Sequence, residues 1–156
     1  MIEIETLQRF CERAKRKDLK RPFTGKGRTY ASDGSILIRV EGKVRGADGK
    51  GCIRKSADRL LSKKGMLRCQ FPPLDRVPLR SSLIVVELRC GGRPIRVDKR
   101  YVDLALTLPG RVRFFADPLR DECGGSPVVF TFQEGRGAVM PMLRQEMETR
   151  GQWLKS

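Results

Sequence analysis

An α+β fold with mainly antiparallel sheets is predicted from three features of the chain. First, apolar residues alternate after a glycine turn: Ile36, Ile38 and Val40 share one face of a strand that follows Asp33-Gly34. Second, Leu83 to Cys90 is rich in Ile and Val and runs into Gly91-Gly92, a second hairpin signal. Third, two stretches carry apolar residues at three- and four-residue spacing, the period of a helix. Read in order, the chain gives helix, hairpin, helix, then hairpin, helix, strand, hairpin, which is an α+β arrangement.

The first helix is expected over residues 5–18, with Leu7, Phe10, Cys11 and Ala14 as its apolar stripe. Glu3 and Glu5 near its start and Lys15, Arg16 and Lys17 near its end suit the helix dipole. Pro22 ends that segment. Residues 28–40 form the first hairpin, and 42–51, rich in glycine and charge, reads as a mobile loop. Residues 56–64 are expected as a short helix capped by Ser56 and closed by Lys63-Lys64-Gly65. Met66 to Phe71 reads as a strand, and Pro72, Pro73 and Pro78 mark an irregular linker.

After the Gly91-Gly92 turn, Pro94 to Val97 returns as a strand. Asp98 then caps a helix to about Leu108, stopped by Pro109-Gly110. Val112 to Ala116 is the next strand and 117–126 a loop. Pro127 to Phe132 and Gly137 to Met142 form the last hairpin. The expected organisation is one domain over 1–142, irregular at 42–80, with a polar tail at 143–156 that carries the lone Trp153.

The 156 residues carry a net charge of +15, with 33% charged and 39% apolar residues. An excess of that size points to an anionic partner, nucleic acid first; the plainer reading is a solubility charge. No apolar run approaches the roughly 18–20 residues of a membrane span. The acidic start Met1-Ile2-Glu3-Ile4-Glu5 is unlike a signal peptide, so a cytoplasmic protein is expected.

Catalysis is not expected. The chain has no histidine, which removes the commonest general base and transition-metal ligand. Gly25-Lys26-Gly27 and Gly91-Gly92 lack a P-loop context, and no tight carboxylate cluster is present. Five cysteines (Cys11, Cys52, Cys69, Cys90 and Cys123) show no CxxC spacing. They read as reduced thiols. A zinc site from Cys52, Cys69, Cys90 and Cys123 requires the fold to gather them. No cofactor is expected.

The cations that could meet phosphate lie off the apolar stripes. Arg9, Arg13 and Arg16 share a face of the first helix, with Lys17 and Lys20 at its end, and Lys99 and Arg100 open the helix after Asp98. A merely solvated helix face is the plainer alternative.

Three segments carry a resemblance to a known family. Arg96-Val97-Asp98-Lys99-Arg100-Tyr101-Val102-Asp103-Leu104, followed by Leu108-Pro109, resembles the helix entry of the last domain of bacterial DNA sliding clamps. Ala138-Val139-Met140-Pro141-Met142 is similar to the clamp's C-terminal signature. Tyr30-Ala31-Ser32-Asp33-Gly34 resembles the clamp's Asp-Gly hairpin. The chain has room for one such domain where bacterial clamps have three, and Ser35-Ile36 stands where the clamp motif has His-Arg.

The resemblance implies a single clamp-like domain of a phage or prophage type. It implies a non-catalytic processivity accessory whose basic helices touch the phosphates of duplex DNA, as an assembled ring if several copies close head to tail. It also implies a partner pocket for peptides of DNA enzymes, with Val139, Met140, Pro141 and Met142 as one wall. Ser32, Asp33, Gly34 and Leu37 would form the other, on an adjacent subunit. The alternative is a monomeric adaptor or decoy that docks on a host sliding clamp or a DNA polymerase.

Overall fold

A computed structural model describes residues 2–51, 55–70, 85–91, 93–117 and 127–141. The expected linker at 72–78, the tail with Trp153, and Met142, Cys52 and Cys123 lie outside the described residues.

Nine strands are present among the described residues: β1 (Phe23–Gly25), β2 (Arg28–Ser32), β3 (Ile36–Glu41), β4 (Leu67–Arg68), β5 (Val85–Cys90), β6 (Arg93–Asp98), β7 (Arg113–Ala116), β8 (Val128–Phe132) and β9 (Gly135–Val139). Seven form one sheet in the order β1-β2-β3-β9-β8-β7-β4, and β5-β6 form a separate hairpin. Every pairing is antiparallel. The α+β reading therefore holds. The two sheets are stitched by Gln70 and Arg89, which exchange both backbone hydrogen bonds at 2.7 and 2.9 Å.

The alternation read at 36–40 places side chains as expected. Ile36, Ile38 and Val40 are buried together with Ala31 of β2, Phe130 and Phe132 of β8, and Phe114 of β7. Two helices close this face, α1 (Ile4–Arg9) through Leu7, and α3 (Lys99–Leu106) through Val102 and Ala105. Burying such large apolar side chains supplies the main driving force for the fold. Asp98 accepts a hydrogen bond from the Arg100 amide at 2.9 Å, so the expected cap of α3 is formed.

The opposite face is covered in part by α2 (Lys55–Leu60). Asp58 accepts from the Tyr30 hydroxyl and from Arg39 Nη1, each at 3.2 Å, Leu61 is buried, and Lys63 sits 4.6 Å above the Phe115 ring. Tyr30 also stacks on Phe23, ring centroids 5.6 Å apart. The sheet thus has helices on both faces.

Several elements differ from expectation. The helix over 5–18 stops at Arg9; the chain then turns, and Lys17–Leu19 forms a single 3-10 turn. Continuing the helix would stack Arg9 on Arg13 and Arg13 on Lys17 at i,i+4, where like charges repel. The second helix begins at Lys55, so Ser56 lies within it rather than capping it, and it ends at Leu60. In the last hairpin the return strand starts at Gly135, not Gly137, after a two-residue turn at Gln133-Glu134. Strand β1 was not expected. It pairs with β2 through Lys26-Gly27, whose φ values of 52° and 77° are those of a hairpin turn with both central residues left-handed.

The loop at 42–51, expected to be mobile, is held in place. The buried Thr29 hydroxyl donates to the Gly42 carbonyl and accepts from the Val44 amide, both at 2.9 Å. The Gly49 amide then donates to the Pro22 carbonyl at 2.8 Å, and Asp48 pairs with Arg21 at 2.9 Å. Residues 47–51 so run along the outer side of β1.

Candidate nucleic-acid interface

The N-terminal cations are displayed by a compact knuckle rather than by one long helix. Phe10 and Cys11 are buried side by side under β2 and β3, and they fix the chain where α1 ends. The Gln8 side-chain amide then donates to the Lys20 carbonyl at 2.8 Å, closing residues 8–20 into a loop. Within it, Ala14 donates to Cys11, Leu19 to Arg16 and Lys20 to Lys17 through the backbone. Arg9, Arg13, Lys17 and Lys20 are all exposed on this knuckle, and no carboxylate among the described residues pairs with them. Arg16 is exposed too, but its guanidinium is engaged by Asp18, with bonds of 3.1 and 2.6 Å.

The cations of α3 are placed differently from expectation. Lys99 is bonded to Asp103 one turn along the helix. Arg100 folds back on Asp98, the residue that caps its own helix, with Nη2 to Oδ2 at 2.5 Å and Nε to Oδ1 at 3.0 Å. Both charges are largely spent on internal carboxylates, and the Arg100 guanidinium is held above its ordinary pKa by the Asp98 hydrogen bond.

The segments that carry the resemblance meet at one corner. Asp33 Oδ1 accepts from the amides of Ser35 and Ile36 at 2.8 and 3.1 Å, which fixes the Asp33-Gly34 turn. Its Oδ2 accepts from the Tyr101 hydroxyl at 2.7 Å, a link from α3 to the turn across 68 residues. The Met140 amide donates to the Ser35 carbonyl at 2.9 Å, and Val139 pairs with Ile36. Burial, then the hydrogen bond and charge of Asp33, push the Tyr101 hydroxyl up to about 12.

The expected partner wall is only partly a surface. Val139 is buried because β9 lies between β3 and β8 in the sheet interior rather than at an edge, and Pro141, two residues beyond it, is buried as well. Met140 is 40% exposed. Ser32, Asp33, Gly34 and Leu37, expected to face this wall from a neighbouring subunit, adjoin it within the same chain, where Leu37 pairs with Ala138. Nothing in the local sequence pattern signalled that the Tyr101 hydroxyl would reach Asp33.

Cys11, Cys69 and Cys90 are buried, and the Cys90 thiol donates to the Ala116 carbonyl at 3.2 Å. Burial pushes the Cys11 thiol up. Among the described residues no cluster of three or more Cys, Asp or Glu is placed to hold a metal. No helix among them is long and apolar enough to cross a membrane.

No family model, curated protein or solved structure matches the chain.

Proposed function

We propose that this chain is a non-catalytic, clamp-like DNA-binding protein that contacts the phosphates of duplex DNA through its N-terminal knuckle and acts in the cytoplasm, as a processivity accessory in DNA replication. The observation that carries this reading is the display of Arg9, Arg13, Lys17 and Lys20 on one closed loop, anchored by buried Phe10 and Cys11. Unpaired cations held on a rigid base lose little freedom on meeting phosphate, and phosphate contact carries no sequence information. The convergence of the Asp33 turn, Tyr101 and Met140 supports the clamp-like part of the reading. A ring requires several copies, so retention on circular but not on linear DNA is the expected signature.

The test is duplex binding as a function of salt for the parent and for a variant with Arg9→Gln, Arg13→Gln and Lys17→Gln. Each lost phosphate contact lowers the slope of log affinity against log salt by about 0.9, so a drop of about 2–3 is expected with an unchanged melting temperature. Identical isotherms would overturn the reading.

A second reading rests on Met140, a flexible apolar side chain exposed directly beyond a buried strand. Here the chain is a monomeric module that docks on a host sliding clamp or a DNA polymerase. It predicts a size shift on mixing with the partner that Met140→Asp abolishes.

A further inference from the structure

The strand register builds a line of side chains straight across the sheet on the face that α2 covers in part. Phe23 lies opposite Tyr30, Tyr30 opposite Arg39, Arg39 opposite Arg136, Arg136 opposite Thr131, and Thr131 opposite Arg113. Residues directly opposite in an antiparallel pair share a face, and Tyr30 and Arg39 prove which one by sharing Asp58. Two arginines in direct cross-strand register repel, an arrangement that costs stability with no structural return.

The charges in this line are not balanced along its length. Arg39 is answered by Asp58, yet its Nε is buried with no hydrogen-bond partner, 3.6 Å from Glu41. Arg28, at the same end, pairs with Glu41 at 3.0 Å. Toward β7 no carboxylate among the described residues answers the arginines of the line. Neither the Arg136 nor the Arg113 side chain has an ion-pair or hydrogen-bond partner among the described residues; Arg113 is exposed and Arg136 half-buried. Arg68 is exposed opposite Phe115 on the same face, and Lys63 stands over the Phe115 ring. Asp117 lies two residues beyond Phe115 and is already engaged.

Arg136 and Arg113 sit two strands apart, about 10 Å at the backbone, and arginine side chains reach further than half of that. Guanidinium forks at such a spacing suit a chain of phosphates, each of which accepts two parallel hydrogen bonds. Of the aromatic side chains described on this face, Phe23 and Tyr30 are buried and the half-buried Phe115 ring lies under Lys63, so the surface offers charge rather than stacking. The fit is to a nucleic-acid backbone rather than to bases.

We infer that the open half of this face, centred on Arg136, Thr131 and Arg113, is a second phosphate-backbone surface, so that one copy of the chain holds two duplex segments at once. The knuckle packs on the other face of the sheet, through Leu7, Phe10 and Cys11 against Ala31, Ile36 and Ile38. A straight duplex cannot lie against both. The bridging part rests on the reading of the knuckle given above.

The experiment compares three full-length chains: the parent, the knuckle variant described above, and a sheet variant with Arg113→Gln and Arg136→Gln. Two short DNA duplexes carrying different fluorophores report bridging by energy transfer, and titration with one duplex reports uptake per chain. The parent should bridge and take up about twice as much duplex as either variant, because each surface binds independently of the other. The sheet variant should lose bridging yet melt at or above the parent temperature, since Arg136→Gln relieves its repulsion with Arg39. A sheet variant that bridges and saturates like the parent overturns the inference and leaves the knuckle reading intact. Loss of all binding in the sheet variant with none in the knuckle variant overturns bridging and moves the DNA contact to the sheet. No binding by the parent at low salt overturns both.

Discussion

Replacing Tyr101 with Phe removes one oxygen and tests whether the corner joining α3 to the Asp33 turn is formed. The hydroxyl donates to Asp33 Oδ2 at 2.7 Å, and the residue is half-buried. A hydrogen bond to a charged acceptor contributes about 1.5–3 kcal/mol. Here water can replace the lost donor, and Asp33 keeps its amide bonds from Ser35 and Ile36. The expected cost is therefore at the low end, about 1–1.5 kcal/mol, or about 2–5 °C in melting temperature for a chain of this size. A double-mutant cycle with Asp33→Asn in urea should return a coupling of about 1 kcal/mol. The pH dependence supplies an independent reading. The Tyr101 hydroxyl is pushed up to about 12 by burial first and then by Asp33, so the folded chain holds this proton more tightly than the unfolded one. Its contribution is whole below about pH 10, the unfolded value, and is lost as pH rises through about 12. Burial raises the Tyr30 and Cys11 values as well, so Tyr101→Phe should flatten the alkaline loss without abolishing it. Unchanged urea midpoints together with an unchanged alkaline slope would refute the link between α3 and the turn.

Two further substitutions probe the sheet itself. Asp58→Ala strips the hydrogen-bond partner shared by Tyr30 and Arg39 and leaves the mostly buried Arg39 beside Arg136 with only the longer Glu41 contact. A loss of about 2–3 kcal/mol is expected in urea unfolding, and Arg39→Met in the same background should recover part of it. Gly137 lies under the Phe130 ring, and a Cβ there would stand 2.0 Å from the ring's Cζ. Gly137→Ala should cost about 1–3 kcal/mol by calorimetry through displaced aromatic packing, and Phe130→Leu in the same chain should relieve the overlap.

Period and turn chemistry carried most of the fold into the sequence. The alternation at Ile36, Ile38 and Val40, the Asp33-Gly34 turn, the antiparallel pairing of β5 with β6, and the Asp98 cap each depend on residues close in the chain, and each stands where it was read. What was illegible depends on distant groups. The break of the first helix after Arg9 is fixed by Phe10 and Cys11 both entering the core and by Gln8 reaching Lys20. Strand β1 has three residues, too few to show a period, and its turn uses Lys26 where asparagine is the usual signal. The knuckle cations were legible as residues, but their common display came from folding and not from a helical face. Lys99 and Arg100 looked equally available; the carboxylates that occupy them, Asp103 and Asp98, were visible in sequence at i,i+4 and at the cap. The cross-strand arginine line could not be read at all, because register between β3, β9, β8 and β7 joins segments up to about a hundred residues apart.

The covering of β1 by residues 47–51 limits how copies of this chain can assemble. An incoming strand would have to displace the Gly49–Pro22 hydrogen bond, the Arg21–Asp48 ion pair and the Gly51 contact with the Phe23 ring before it could add to the sheet. Strand-by-strand polymerisation is thereby blocked from that end, a common safeguard against fibrous aggregation at high local concentration. A ring of several copies would therefore have to close without a strand added at the β1 edge, through side chains or through the other sheet edges.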